Sequence, residues 1–421
     1  MEEYKLVEVK EPELYEDVFP YDLPPKIIFA NKKVDLEGNV SERNLRISDT
    51  TFRDGQQARP PYTVEQIVDL FNLLNKISGP TGIISNSEFF IYSKKDKDAV
   101  IACMEQGHRF PEITGWIKGT REDGVLLKWL EEIGIKETGL LTSCSDYHIF
   151  LKLRKDRRKI LDEYITIVEM AIEKGIRPRC HLEDVTRADI FGFVIPFVKK
   201  LMEISDQVDD ALKVKVRLCD TMGFGVPDDK VVLPRGIPKL VNVIRHEAGV
   251  PADRLEWHGH DDFNKVHANA ACGWYYGCDI LNSTLCGFGE RTGNPPIEAA
   301  IFEYISLKGT KDGMNTEAIT EAADYLRNIG MIIPPNKSIV GSEAFTTRAG
   351  IHAKGLDRDE RIYNPYNTKL LLGREPEILL ADKSGPEGII AYVNNYLRSR
   401  RLLGGHLPRA LFHHHPTIFE I

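Results

Sequence analysis

The stretch Arg46-Ile47-Ser48-Asp49-Thr50-Thr51-Phe52-Arg53-Asp54-Gly55-Gln56-Gln57 selects between two folds. Residues 46–52 read as a strand, and an Arg-Asp pair, a lone glycine and two amides come directly after it. A doubly wound dinucleotide fold would place a Gly-rich turn there, because a pyrophosphate needs close approach to bare backbone. A single glycine among charged side chains does not build that turn. The other home for repeated strand–helix units is a closed parallel barrel, whose polar strand-end residues converge on one mouth.

Beyond that strand, seven more short apolar runs occur, at 82–90, 112–117, 137–143, 178–184, 215–220, 255–260 and 280–289. Stretches with helical spacing lie between them. One, 63–77, sets Val64, Ile67, Leu70, Phe71 and Leu74 on one face, with Thr63 as N-cap. Another, 158–174, aligns Ile160, Leu161, Tyr164, Ile167 and Ala171. Eight units over roughly 250 residues predict an α/β fold, a (β/α)8 TIM barrel over residues 43–315. Residues 1–42, with Pro12, Pro20, Pro24 and Pro25, predict an arm on the barrel or on a partner. Residues 316–421 predict a smaller, mostly helical region with a Gly-flanked, lid-like loop at 344–355 and no regulatory domain.

Composition narrows the partners. Of 421 residues, 42% are hydrophobic and 28% charged, which suits a soluble protein with a real core. A net charge of -8 argues against nucleic acid and anionic membrane surfaces. No run approaches the ~18 apolar residues of a span. Glu2, Glu3, Glu8 and Glu11 break any signal-peptide pattern, so the expectation is cytoplasmic. The 7 scattered cysteines contain no CxxC and read as reduced thiols. Lys152, Lys155, Arg157 and Arg158 read as a solvated helix face, and His413, His414 and His415 as surface composition.

The chemistry concentrates in His258-Gly259-His260-Asp261-Asp262. Strand side chains alternate, so His258 and His260 point the same way. Asp54 comes after the first strand and Asn294 after the eighth. Singly, each is ordinary: a strand-end imidazole that hydrogen-bonds, an aspartate capping a turn, an asparagine before Pro295-Pro296. Together they offer a carboxylate, two imidazoles and an amide oxygen to a divalent ion, Mn²⁺ or Co²⁺ foremost, Mg²⁺ or Zn²⁺ otherwise. Such an ion would polarise the carbonyl of a chelating 2-oxo acid. Arg179, His181 and Glu183 alternate on the fifth run and should face inward. Glu88, a carboxylate near the end of the second run, demands a cation or hydrogen-bond donor.

Residues 49–57, 142–148, 183–187, 258–262, 287–294 and Gly350-Ile351-His352 resemble the metal-dependent acyl-CoA:2-oxoacid Claisen-condensing enzymes, which include 2-isopropylmalate, homocitrate, citramalate and Re-citrate synthases. The resemblance runs over about residues 43–360. It implies that Asp54, His258, His260 and Asn294 hold the metal. Arg53 would bind substrate and neutralise a developing oxyanion. Gln57, Glu88, Arg179, His181 and Thr221 would contact the 2-oxo acid, with Arg179 on its distal carboxylate. His352 would be the base, Glu183 would orient or protonate it, and Tyr363 would assist. A homodimer with shared sites is implied, as is acetyl-CoA as cosubstrate.

Residues 53–62 and 177–184 fit the branch that condenses acetyl-CoA with oxaloacetate to citrate and CoA. Homocitrate formation from 2-oxoglutarate is the nearest rival, since one methylene is worth only ~1–3 kcal/mol to a pocket; a 2-isopropylmalate synthase-like enzyme is another. A hydroxymethylglutaryl-CoA-lyase-like cleavage enzyme would use a reactive cysteine, for which Cys286 beside Gly287 is placed. A biotin-dependent carboxyltransferase would need a lysine where Cys219 stands. Structural roles compete too: Arg53 paired with Glu183 or Glu290, Arg179 in a salt bridge, Thr221 capping a turn.

Overall fold

The computed structural model describes residues 8–29, 40–57, 59–120, 122, 124–381 and 384–399. Histidines 413–415 lie outside the described residues. The chain divides into two compact units. The larger comprises Asn31–Tyr304 and Lys311–Ser342; the smaller comprises Met1–Ala30, Ile305–Thr310 and Glu343–Ile421.

The larger unit is a closed barrel of eight parallel strands in sequence order, so the fold expected from the first turn is the fold found. The strands are β1 (Arg46–Asp49), β2 (Ile84–Phe90), β3 (Glu112–Lys118), β4 (Glu137–Ser143), β5 (Arg177–Glu183), β6 (Lys215–Asp220), β7 (Leu255–Gly259) and β8 (Ile280–Ser283). Closure is made by β1 on β8, Arg46 opposite Ile280 through Asp49 opposite Ser283. The helices are α1 (Val64–Ser78), α2 (Lys94–Met104), α3 (Gly124–Ile133), α4 (Arg157–Glu173), α5 (Ile195–Ser205), α6 (Ile237–His246), α7 (Val266–Tyr276) and α8 (Ile297–Lys308). A further helix, α9 (Ala318–Asn328), comes after them.

Helix α1 shows why these segments fold as they do. The Thr63 hydroxyl accepts from the Gln66 N–H and the Gln66 carbonyl oxygen accepts from the Thr63 N–H, a reciprocal cap worth about 0.5–2 kcal/mol. Ile67, Leu70, Phe71, Leu74 and Ile77 are buried, each contributing roughly 1.5–3 kcal/mol. On α4 the buried face is Ile160, Tyr164, Ile167, Val168 and Ala171; Leu161 sits half-buried at its edge.

Two strands stop earlier than their apolar runs. β1 ends at Asp49 because its carboxylate accepts from both the N–H and the hydroxyl of Thr51, turning the chain. β8 ends at Ser283, and residues Leu285–Gly287 coil into a tight turn with Cys286 at φ 55°. Both short turns drop polar groups onto the barrel mouth.

The barrel interior is ionic, where apolar layers usually fill such folds. Glu88, Arg179, His181, Arg217 and Glu256 all lie at 0–2% exposure. Alternation along β5 explains part of this: Cys180 and Leu182 pack outward among the buried apolar side chains, while Arg179 and His181 turn in and meet Glu88.

In the smaller unit, α10 (Gly350–Arg358), α11 (Thr368–Leu372) and α12 (Pro386–Ser399) accompany two short parallel strands, β9 (Thr346–Thr347) and β10 (Glu377–Ile378). Ala353, Leu356, Ile378 and Ala391 form its core with Tyr392 against them. Residues 8–29 belong to this unit: the Tyr21 hydroxyl donates to Glu360, and Asn367 donates to Asp22. No helix among the described residues is long and apolar enough to cross a membrane.

Candidate active site

Asp54, His258 and His260 meet at the C-terminal mouth of the barrel. All three are buried, and one ligating atom from each falls within 4.8 Å of the others. His258 Nε2 lies 3.4 Å and His260 Nε2 3.5 Å from Asp54 Oδ2. The two imidazoles stand perpendicular, 5.1 Å apart at their centroids. Burial works against ionising Asp54, but Arg53 foremost, with the hydrogen bond from the Asn294 amide, holds the carboxyl below its usual range. Burial likewise pushes both imidazoles down, so they are neutral, as metal ligands must be.

The donor set fits a divalent ion on two further observations. The Asn294 amide donates to Asp54 Oδ2 and to the Gly259 carbonyl, both at 3.1 Å, which leaves its oxygen buried without a partner. His258 Nδ1 is 2.7 Å from Asn282 Oδ1, and the Asn282 amide donates to Ser48 Oγ at 2.8 Å. That fixes the Asn282 oxygen as acceptor, puts the His258 proton on Nδ1 and aims the Nε2 lone pair at Asp54.

Arg53 donates from Nε to Glu88 at 2.9 Å, and its Nη1 is 3.6 Å from Asp54. Its carboxylate partners are therefore Glu88 and Asp54, a correction to the sequence expectation of Glu183 or Glu290. The reason is register: Asp49 pairs with Ser87 across β1 and β2, so the turn after β1 sits over Glu88. Glu88 also binds Arg179 at 2.6 Å and Arg217 at 3.0 Å, and His181 Nε2 is 3.3 Å away. These cations overcome burial and keep Glu88 ionised. His181 is pushed down to about 3 by burial and then by Arg217, so it is neutral.

The other residues nominated by the sequence scatter by role. Arg179 is held between Glu88 and Glu137, the latter at 2.7 Å. The Thr221 hydroxyl accepts from the Asp184 N–H at 2.8 Å, a turn-tying bond. Gln57 is exposed, while its neighbour Gln56 ties the same loop by accepting from the Tyr62 N–H and donating to the Phe52 carbonyl. Glu183 ends β5 and is bound by Ser143, His148 and Lys152. His352 is exposed in the smaller unit, its ring 4.3 Å from that of Tyr363. Tyr363 lines a cleft of about 890 Å³ with Phe19, Tyr21 and Ile362, also within that unit. Three residues of the basic run after β4 form ion pairs: Lys152 with Glu183, Lys155 with Glu163, and Arg157 with Asp146 and Asp189.

Asn282, Arg217 and Glu256 do not stand out in the sequence. Strand alternation offers the one usable signal, since Arg217 and Glu256 sit at inward positions of apolar strands.

A family model described as HMGL-like matches residues 44–326. The chain belongs to the HMGL-like family. It is 50% identical over 394 residues to the citrate (Re)-synthase of Syntrophus aciditrophicus, covering 93% of this chain and 61% of that protein. It is 46% identical over 397 residues to the citrate (Re)-synthase of Clostridium kluyveri, covering 94% and 86%. The crystal structure of a Bacillus subtilis HMG-CoA lyase superposes with a TM-score of 0.55 at 18% identity, covering 69% of this chain and 95% of that one, a likeness of fold. Within this HMGL-like barrel Cys286 is 2% exposed, and burial, then Glu298, push its thiol well above the ordinary value. A protonated, buried thiol disfavours cysteine-dependent cleavage.

Proposed function

We propose that this chain is an acyltransferase that condenses acetyl-CoA with oxaloacetate and water to give citrate and CoA, with a divalent metal held by Asp54, His258, His260 and Asn294. The observation that carries the metal-dependent chemistry is the buried Asp54–His258–His260 cluster beside the unpartnered Asn294 oxygen. The relatives named above point the same chemistry at oxaloacetate. When bound, the ion supplies a Lewis acid for the 2-oxo carbonyl; Mn²⁺ or Co²⁺ suits this mixed nitrogen and oxygen set.

Arg53, pinned by Glu88 and already beside Asp54, places a guanidinium where negative charge grows on oxygen as the new carbon–carbon bond forms. Removal of the proton from the acetyl methyl group is assigned to His352, with Tyr363 assisting and Glu183 orienting the base. Arg179 and His181 meet the distal carboxylate, and Gln57 and Thr221 the proximal end. The enzyme acts in the cytoplasm as a homodimer.

Metal-loaded protein with acetyl-CoA is offered oxaloacetate, 2-oxoglutarate, 2-oxoisovalerate, pyruvate or glyoxylate, and CoA release is measured. Oxaloacetate is expected to be turned over fastest. Preference for another acid defeats the citrate assignment and leaves the metal-dependent condensation intact.

A further inference from the structure

The loop after β4 enters a π-helical turn, Tyr147–Lys152. Wide turns of this kind carry one extra residue per turn, which re-aims side chains. Here the turn delivers His148 and Lys152 to the same carboxylate. His148 Nδ1 lies 2.8 Å from Glu183 Oε2, and Lys152 Nζ is 2.9 Å from both Glu183 oxygens. The Ser143 hydroxyl, from the last residue of β4, completes the set. The other nitrogen of His148 is 3.7 Å from Asp184 Oδ2, and Asp184 is itself fixed by Ser145 and Arg187. His148 is thus braced between successive carboxylates at the end of β5, with its side chain 16% exposed.

We infer that His148 is a positioning residue for Glu183, and that with Lys152 it aims that carboxylate at the barrel mouth and holds it as a hydrogen-bond acceptor. This rests on the reading above, in which Glu183 orients the base. The alternative for Glu183, donating a proton, fails on charge: burial would raise its pKa, but the close approach of His148 and the Lys152 ammonium bring it down to about 2. The remaining titratable neighbours are the Cys219 thiol on β6, the Cys144 thiol beside Ser143 and the Tyr164 phenol on α4, all pushed upward by burial and therefore neutral. Lys152 is the cation on Glu183 and His148 Nδ1 its nearest ring nitrogen; Arg187 reaches Asp184.

The test uses metal-loaded His148→Ala, His148→Gln and Lys152→Met. In His148→Ala the kcat for CoA release is expected to fall about 10–100-fold, the scale of a misplaced catalytic group. KM for the 2-oxo acid and metal affinity should stay within about twofold. His148→Gln, whose amide still donates, should recover most of the rate. A loss carried wholly by KM or metal affinity, or no recovery in His148→Gln, overturns the inference. The Glu183 carboxyl is also titrated by ¹³C NMR in the resting protein. An upward shift in His148→Ala or Lys152→Met supports the inference and an unchanged midpoint in both overturns it. That measurement needs no turnover, so it separates this inference from the substrate assignment: wild type releasing CoA with no 2-oxo acid would sink only the latter.

Discussion

Among single residues, the site depends on groups that ligate nothing. Asn282 decides which nitrogen of His258 faces Asp54, by accepting at 2.7 Å on one side and donating to Ser48 on the other. Asn282→Ala is expected to weaken Mn²⁺ binding about 10–100-fold by calorimetry, with the circular dichroism of the barrel unchanged. Equal affinity in the variant would mean that Asn282 does not orient the imidazole. The ligand cluster itself was legible in the sequence, because His258 and His260 alternate onto one face and Asp54 comes just after a strand. Asn282 was not, because an asparagine in the apolar run Ile280–Ser283 looks like any buried polar residue until β1 and β8 are paired. Arg53 was legible as a site residue, but its partner was not, because partners across a barrel depend on register.

Between elements, the strands carry a closed circuit of polar contacts. It runs from Asp54 to His258, Asn282, Ser48, Glu256, Arg217, Glu88 and Arg53, and back to Asp54. Arg179 branches from it to Glu137 at the start of β4, which Lys215 also binds, at 2.6 Å. Burial opposes the charge on Glu137, but Lys215 and Arg179 bring its pKa from 4.5 to about 2. A folded-state pKa below the unfolded one contributes stability that is present above pH ~4.5 and lost as pH falls through ~2. Urea melts across that window should therefore show falling stability in wild type and a shallower fall in Glu137→Gln. At neutral pH the variant should be less stable by about 3–5 kcal/mol, because it leaves buried cations uncompensated. Identical slopes would remove Glu137 from the acid response. Asp49 has the opposite sign: burial raises it to about 6, so its contribution is lost as pH rises through that value. The strand count and order were legible in the apolar runs. The ends of β1 and β8 were not, because Asp49 and Cys286 turn the chain by side-chain capture and a left-handed residue, which apolar patterning does not encode.

At the scale of the whole chain, the metal cluster and the residue assigned as base can be tested separately. The metal cluster lies in the barrel unit and His352 in the smaller one. His352→Ala is accordingly expected to retain Mn²⁺ and 2-oxo acid binding by calorimetry, while deuterium exchange from the methyl group of acetyl-CoA falls at least ~100-fold. Retained exchange would remove His352 as the base. The helical character of the smaller unit was visible in the sequence, whereas its inclusion of residues 8–29 was not, because Tyr21 meets Glu360 across more than three hundred positions of chain. The polar circuit inside the barrel has one more consequence, for protein engineering. Its charged members, Glu256, Arg217, Glu88 and Arg53, answer to one another, so swapping one of these alone strands its opposite number in a dry interior. A mutagenesis library aimed at this interior would recover survivors as concerted pairs, acid exchanged together with base, and lone exchanges would be missing from the pool.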